Sequence, residues 1–405
     1  MVFLAGLGVV GFAQKAPDTG MDATAPGVSQ LLAVVRPFLL KDIRYDLHFR
    51  VPASKDQPVT GYETIRFRME QPFMDTMPLD FKGAGDGLSE LSVNGKGVRE
   101  IYKNEHIWIS HEAFKMGENS LTVHWVAGDG ALNRNPDFLY TLLVPDRART
   151  LFPCFDQPDM KAVFTLSLVI PAGWKAIANG MVRDSVTAGD STVIDFRPSD
   201  RISTYLFSFV AGKFAETDNL VNGEQMRFLY RETDSSKLRL SLDSVFRIEG
   251  QALSYMQQYT GIPYPFQKFD FVAIPDFQFG GMEHVGAIQY QSRTLFLDSG
   301  ATREQRIGRS NLLSHETAHM WFGDLVTMKW FNDVWMKEVF ANYMAGKISS
   351  VTLPDDNFDL KFLIGHYPAA YSVDRTAGTH PIQQRLDNLQ EAGSLYGPII
   401  YDKAP

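Results

Sequence analysis

The stretch His315-Glu-Thr-Ala-His-Met-Trp-Phe-Gly-Asp-Leu-Val-Thr-Met-Lys-Trp-Phe-Asn-Asp-Val-Trp-Met-Lys-Glu338 decides how this chain is read. It contains an H-E-x-x-H run, and Glu338 follows the second histidine after eighteen intervening residues. Residues four apart lie on one face of a helix, so His315 and His319 can direct both imidazoles at one metal ion. Glu316 then sits beside the site without being a ligand. A catalytic zinc takes three protein ligands and keeps a fourth position open for water, so the third ligand must come from a separate segment. Glu338 can supply it. Met320 to Lys337 is long enough to finish one helix, turn through Gly323-Asp324 and begin another that carries Trp335, Glu338 and Asn342 on neighbouring turns. Zinc lowers the pKa of its bound water to about 7, and a carboxylate next to that water can remove a proton and deliver it to a leaving amine. Glu316 is the candidate for that role, and the pattern calls for one Zn2+ per chain.

The same segment, linker included, resembles the gluzincin aminopeptidases, the family of aminopeptidase N and the leukotriene epoxide hydrolase. Upstream, Gly280-Gly281-Met282-Glu283-His284 is similar to that family's exopeptidase signature, G-A/G-M-E-N, whose glutamate binds the free amino group of the substrate. The resemblance makes Gly280, Gly281, Met282 and Glu283 the candidate substrate-binding residues. Ile399-Ile-Tyr-Asp-Lys-Ala404 is similar to the family's Y-x-K-G/A segment, which implies that the Tyr401 hydroxyl stabilises a tetrahedral oxyanion. Two further segments, Phe152-Pro-Cys-Phe-Asp-Gln-Pro-Asp159 with Lys161-Ala162, and Ser203-Thr-Tyr-Leu-Phe-Ser-Phe-Val-Ala-Gly212, fit the family's N-terminal domain and read as structural.

The resemblance implies a multidomain chain: an N-terminal all-β domain, then an α+β thermolysin-like zinc catalytic domain. It implies a zinc metallo-aminopeptidase acting on peptide substrates with a free N-terminus. Three departures from the family pattern stand out. Leu142 and Val144 occupy positions where a glutamine or glutamate commonly helps hold the amino group, which predicts weaker discrimination against blocked peptides. His284 replaces asparagine, and would either hydrogen-bond substrate backbone or titrate near pH 6.5. Lys337 and Val339 flank Glu338 where asparagine and glycine are frequent. Family members also continue well beyond the equivalent of Tyr401, so the resemblance implies a C-terminally truncated member. Two alternatives use the same residues differently: epoxide opening with the same zinc ligands, and a non-catalytic peptide-binding fragment that presents exposed β edges.

The chain has 405 residues, 44% hydrophobic and 21% charged, which is ordinary globular material large enough for two or three domains. A net charge of −8, with no Lys/Arg cluster interleaved with aromatics, argues against nucleic acid. Cys154 is the only cysteine, so no intrachain disulfide forms and any zinc is held by His and Glu. Met1–Ala13 is apolar, closes on small residues and precedes the polar Gln14-Lys15, as an export signal does. It is too short to span a bilayer, so no transmembrane segment is expected, and the localisation read from it is periplasmic or secreted.

Apolar and polar residues alternate over Asp42–Val51, and similar alternation recurs at Tyr62–Met69, Leu121–Val126 and Val163–Ile170. Asn94-Gly95 reads as a tight hairpin turn. Helical spacing takes over at Ser235–Tyr259, capped by Asp234 or Ser235 and ended by Gly261-Ile262-Pro263. Strands are expected at Phe269–Ile274 and Val285–Tyr290, and the metal-bearing helix at Glu304–Phe322. The expected boundaries are a signal segment 1–13, a linker 14–29, a β-rich domain 30–220 and a catalytic domain 221–405. Trp321, Phe322, Trp330, Phe331 and Trp335 are expected mostly in the core, with one or two lining the pocket for the first side chain.

Overall fold

A computed structural model describes residues 24–405 apart from Met74 and Ala84. The export segment expected at residues 1–13 lies outside the described residues. A β-rich region precedes a mixed α/β region, the order expected from the change of hydrophobic period. Among the described residues no helix is long and apolar enough to cross a membrane.

The first region is built on an eight-stranded sheet. In its Leu40–Arg50 strand, Ile43, Tyr45, Leu47 and Phe49 are buried while Arg44 and Arg50 are exposed, so the period-two pattern becomes a core face and a solvent face. That strand pairs antiparallel with Thr60–Met69 and parallel with Val163–Pro171. The parallel pairing needs a long crossover, which local sequence cannot reveal. Asn94 and Gly95 both have positive φ, 52° and 77°, and join Ser89–Val93 to Lys96–Gly97 in the expected two-residue turn.

Three expectations need correction. The domain does not begin as β: Gln30–Leu39 is a helix, N-capped by Ser29. Ser29 Oγ accepts from Leu32 N–H at its start, a local cap signal ahead of an amphipathic run. Fully buried Arg36 then donates from both terminal nitrogens to the Asp80 carboxylate, which also contacts His106. Second, the end of the expected linker is tied down. Ser29 bridges to Asn388, Gln30 N–H donates to Asp387 O, and Leu389 N–H donates to Val28 O. Third, the boundary at 220/221 cuts a hairpin. Ala215–Val221 pairs with Glu224–Tyr230 around Asn222-Gly223, and both strands belong to the sheet of the second region.

One core position is chemically anomalous. Glu63 points inward on the Thr60–Met69 strand, is fully buried, and neither carboxylate oxygen has a hydrogen-bond partner. Burial pushes its carboxyl well above the ordinary glutamate value. The folded state therefore keeps a proton that the unfolded chain releases once the pH passes the ordinary glutamate range. Glu63 weakens the fold progressively as pH rises through that window. Glu63→Met is expected to stabilise the protein by about 1 kcal/mol at pH 7 and to narrow the difference between melts at pH 5 and pH 8. A variant melting at or below the parent at both pH values would contradict this.

The second region carries a five-stranded sheet in the order Ala215–Val221, Glu224–Tyr230, Phe271–Ile274, Ile288–Gln291, Gly281–Met282. The two expected strands near Glu283 are therefore shorter than predicted, at Phe271–Ile274 and Ile288–Gln291. The long Ser235–Thr260 helix packs on the sheet. Asp234 caps it by accepting from Ser236 and Lys237 N–H, and Gly261 ends it at φ 69°. Phe228, Phe246, Phe271, Tyr290, Leu313 and Met344 form one core with the metal-motif helix. Gln289 reaches back to Thr141 O and Ser208 Oγ, and Asn179 Nδ2 donates to Val285 O, so the β-rich region fixes the strand that borders the site.

Candidate active site

The Arg303–His319 helix begins at a capping box. Thr302 Oγ1 accepts from Gln305 N–H at 3.2 Å, and Gln305 Oε1 accepts from Thr302 N–H at 2.8 Å. It ends at His319, three residues before the expected Phe322, because the chain turns back at Gly323 (φ 139°). A Cβ at Gly323 would lie 3.2 Å from His319 Nδ1. That nitrogen is 3.0 Å from Phe322 O, a carbonyl that can only accept, so Nδ1 is the donor and Nε2 faces the neighbouring His315. Lys161 braces the turn from the β-rich region by donating to Asp324 O and Leu325 O at 2.7 and 3.0 Å. Behind the helix, buried Glu249 accepts from Tyr290 Oη and Thr317 Oγ1, both at 2.8 Å, and burial pushes its carboxyl up to about 8.

The Val334–Thr352 helix packs against it and brings in Glu338. His315 Nε2 lies 3.0 Å from His319 Nε2, and each lies 3.5 Å from Glu338 Oε2. Ligands at zinc distance in a tetrahedron are separated by roughly 3.3 Å, so this triangle has the dimensions of a zinc site. Two imidazole lone pairs and a carboxylate oxygen facing one another are also the donor set that a divalent cation satisfies. Burial lowers the His315 imidazole, with a further contribution from His319, which favours the neutral ligand form.

Glu316 lies on the same helix, buried, against the edge strand Gly281–Met282. A Cβ built at position 281 would come within 2.4 Å of Glu316 Oε1, so the carboxylate lies directly against the strand backbone here. Ligand atoms of Glu283, Glu316 and His319 lie within 4.8 Å of one another. Burial, reinforced by the charges of Glu283 and Glu338, holds the Glu316 carboxyl well above the ordinary range. Gly280, Gly281, Met282, Glu283, His315, Glu316, His319, Glu338 and Tyr401 all line one cavity of about 1430 Å³. Tyr401 sits in a short helical turn, Ile399–Lys403, and its carbonyl accepts from Asn342 Nδ2 at 2.9 Å, which ties it to the Glu338 helix.

Other expectations change. His284 does not line the cavity: it is fully buried, neither ring nitrogen has a partner, and burial pushes its pKa down to about 3. It is a neutral core imidazole, not a group titrating near pH 6.5. Of the two departures expected to bear on amine recognition, Val144 lines the cavity while Leu142 is in the core. None of Trp321, Phe322, Trp330, Phe331 and Trp335 lines it. Phe279, Phe358, Phe362, Tyr396 and Tyr401 supply its aromatic surface instead.

The largest feature that sequence reasoning missed is the position of Lys337. Its ammonium is buried, hydrogen-bonded to Glu283 Oε1, and 3.0 Å from Glu338 Oε1. It also lies 5.3 Å from the centre of the Tyr205 ring. Burial acts to lower this ammonium's pKa, but Glu283 and Glu338 hold it well above the ordinary lysine value. Position 337 was visible as a departure from asparagine, yet nothing in the sequence showed which carboxylate it would meet.

Residues 245–405 match the Peptidase family M1 domain, and residues 132–206 match the Peptidase M1 N-terminal domain, together more than half of the chain. The chain belongs to peptidase family M1. It is 30% identical over 355 residues to "Probable aminopeptidase 1" of Sulfurisphaera tokodaii, covering 85% of this chain and 43% of that protein. It is 28% identical over 349 residues to "Leucyl aminopeptidase" of Saccharolobus solfataricus, with the same coverage of 85% and 43%. With "Puromycin-sensitive aminopeptidase" of Caenorhabditis elegans it shares 33% identity over 264 residues, 64% of this chain and 27% of that protein. The chain spans less than half the length of these M1 relatives.

Proposed function

We propose that this chain carries the site of a zinc-dependent aminopeptidase, a hydrolase of the N-terminal peptide bond. The triangle of His315, His319 and Glu338, with Glu316 beside it at the edge of a sheet, carries this reading. Zinc held by those three residues would polarise a carbonyl and make a water acidic near neutral pH. Glu316 takes the proton of that water on its carboxylate and returns it to the departing amine. Tyr401 donates its hydroxyl to the developing oxyanion; burial and nearby Glu338 raise its pKa, so it stays protonated as a donor.

The free edge of Gly281–Met282 offers main-chain hydrogen bonds to an extended peptide, which sets the first peptide bond over the site. Glu283 is the carboxylate that meets the substrate's amino end, and it shares that place with Lys337. The aminopeptidase names of the relatives support the same reaction class.

The test is a time course by mass spectrometry on an unblocked peptide with zinc-loaded protein. Successive loss of N-terminal residues is expected, abolished by a chelator and restored by equimolar zinc. Internal cleavage, or a ladder insensitive to chelation, would overturn the proposal.

A further inference from the structure

We infer that Lys337 is a specificity-determining residue that weakens selection for a free α-ammonium, because its own ammonium already occupies the Glu283 carboxylate. This rests on the aminopeptidase reading and concerns the substrate end that the site accepts.

The geometry is that of a built subsite, not of a side chain passing by. Lys337 and Glu283 are separated by 54 positions in sequence and are both buried. The ammonium is held on three sides: by Glu283, by Glu338 and by the face of Tyr205. Glu338 divides its two oxygens, with Oε2 toward the histidines and Oε1 toward Lys337.

An incoming α-ammonium would therefore meet a carboxylate already paired with an ammonium that it shares with Glu338. It could bind only as a second cation beside the first, and like charges a few Å apart repel. The β-rich region offers no compensation: its contributions to the cavity wall are Val144, Pro145 and Arg147, two apolar side chains and a further cation. An N-acylated end brings no charge and still presents an amide N–H to the carboxylate. The Glu283–Lys337 pair therefore narrows the gap between free and blocked substrates.

The experiment compares one peptide with its N-acetylated form on the parent protein, Lys337→Asn and Lys337→Gln, each loaded with zinc to measured stoichiometry. The ratio of kcat/KM, free over acetylated, is expected to rise at least ten-fold in both variants. If Lys337 serves only to position Glu338, both substrates change by the same factor and the ratio stays put, which overturns the inference. If no form turns over either peptide, the aminopeptidase reading has failed on its own. The same ratio is then read from calorimetric Kd values of the two peptides, with the same ten-fold criterion. The parent supplies a check that needs no variant: its affinities for the two peptides are expected to lie within about ten-fold. A free peptide bound a hundred-fold tighter would overturn the inference.

Discussion

Glu316→Ala leaves zinc bound and lowers turnover by about 10³-fold or more. General acid–base groups contribute roughly 10²–10⁴, and removal of this one disables both the withdrawal of a proton from water and its delivery to the leaving amine. Metal retention follows from the geometry, since the three atoms at metal-ligand separations belong to His315, His319 and Glu338. The fold should tolerate the change because burial penalises the Glu316 carboxylate, and its removal relieves that cost. Glu316→Gln should behave the same way, because the amide fills the same space without accepting a proton. Zinc content by native mass spectrometry and initial rates are the two measurements. Full zinc with unimpaired turnover in either variant would remove Glu316 from the mechanism.

His319→Ala has the opposite signature: metal and activity are lost together. His319 is nearly fully buried, its Nδ1 is committed to Phe322 O, and its Nε2 forms one corner of the triangle. Loss of a supporting outer group at a zinc site typically weakens affinity 10–100-fold, so loss of a direct ligand should exceed about 100-fold. A metal that binds only the folded state stabilises it by about 2.7 kcal/mol at a concentration 100 times Kd. Zinc should therefore raise the melting temperature of the parent by several degrees and leave that of His319→Ala unmoved. An equal shift in both proteins would place the metal elsewhere.

Several expectations from the sequence rested on chemistry confined to one or two turns of chain, and these survive in the structure. Asn94-Gly95 turns a hairpin, Asp234 and Gly261 bound a helix, and His315 and His319 share a helix face. The errors occur where the deciding partner is distant. Arg36 of the Gln30–Leu39 helix meets Asp80, 44 positions away, and Ala215–Val221 belongs to the second region's sheet because its hairpin partner continues into it. His284 was visible as a substitution, but its neutrality follows from burial that no local pattern encodes.

What the sequence determined by itself was the grouping of His315, His319 and Glu338 as a candidate metal triad. Helix periodicity carries the i and i+4 histidines to one side, and the linker to Glu338 is a compact turn between two helices, so short-range geometry was enough. What only the tertiary structure decided was the charge of the subsite beside it. Lys337 follows Glu283 by 54 positions, and the Val334–Thr352 helix, the Gly281–Met282 strand and the ring of Tyr205 must all pack before that ammonium has a place to go. Electrostatics between buried groups falls off with distance in space, not along the chain, so the Glu283–Lys337 pair could not be read until the fold had closed around it.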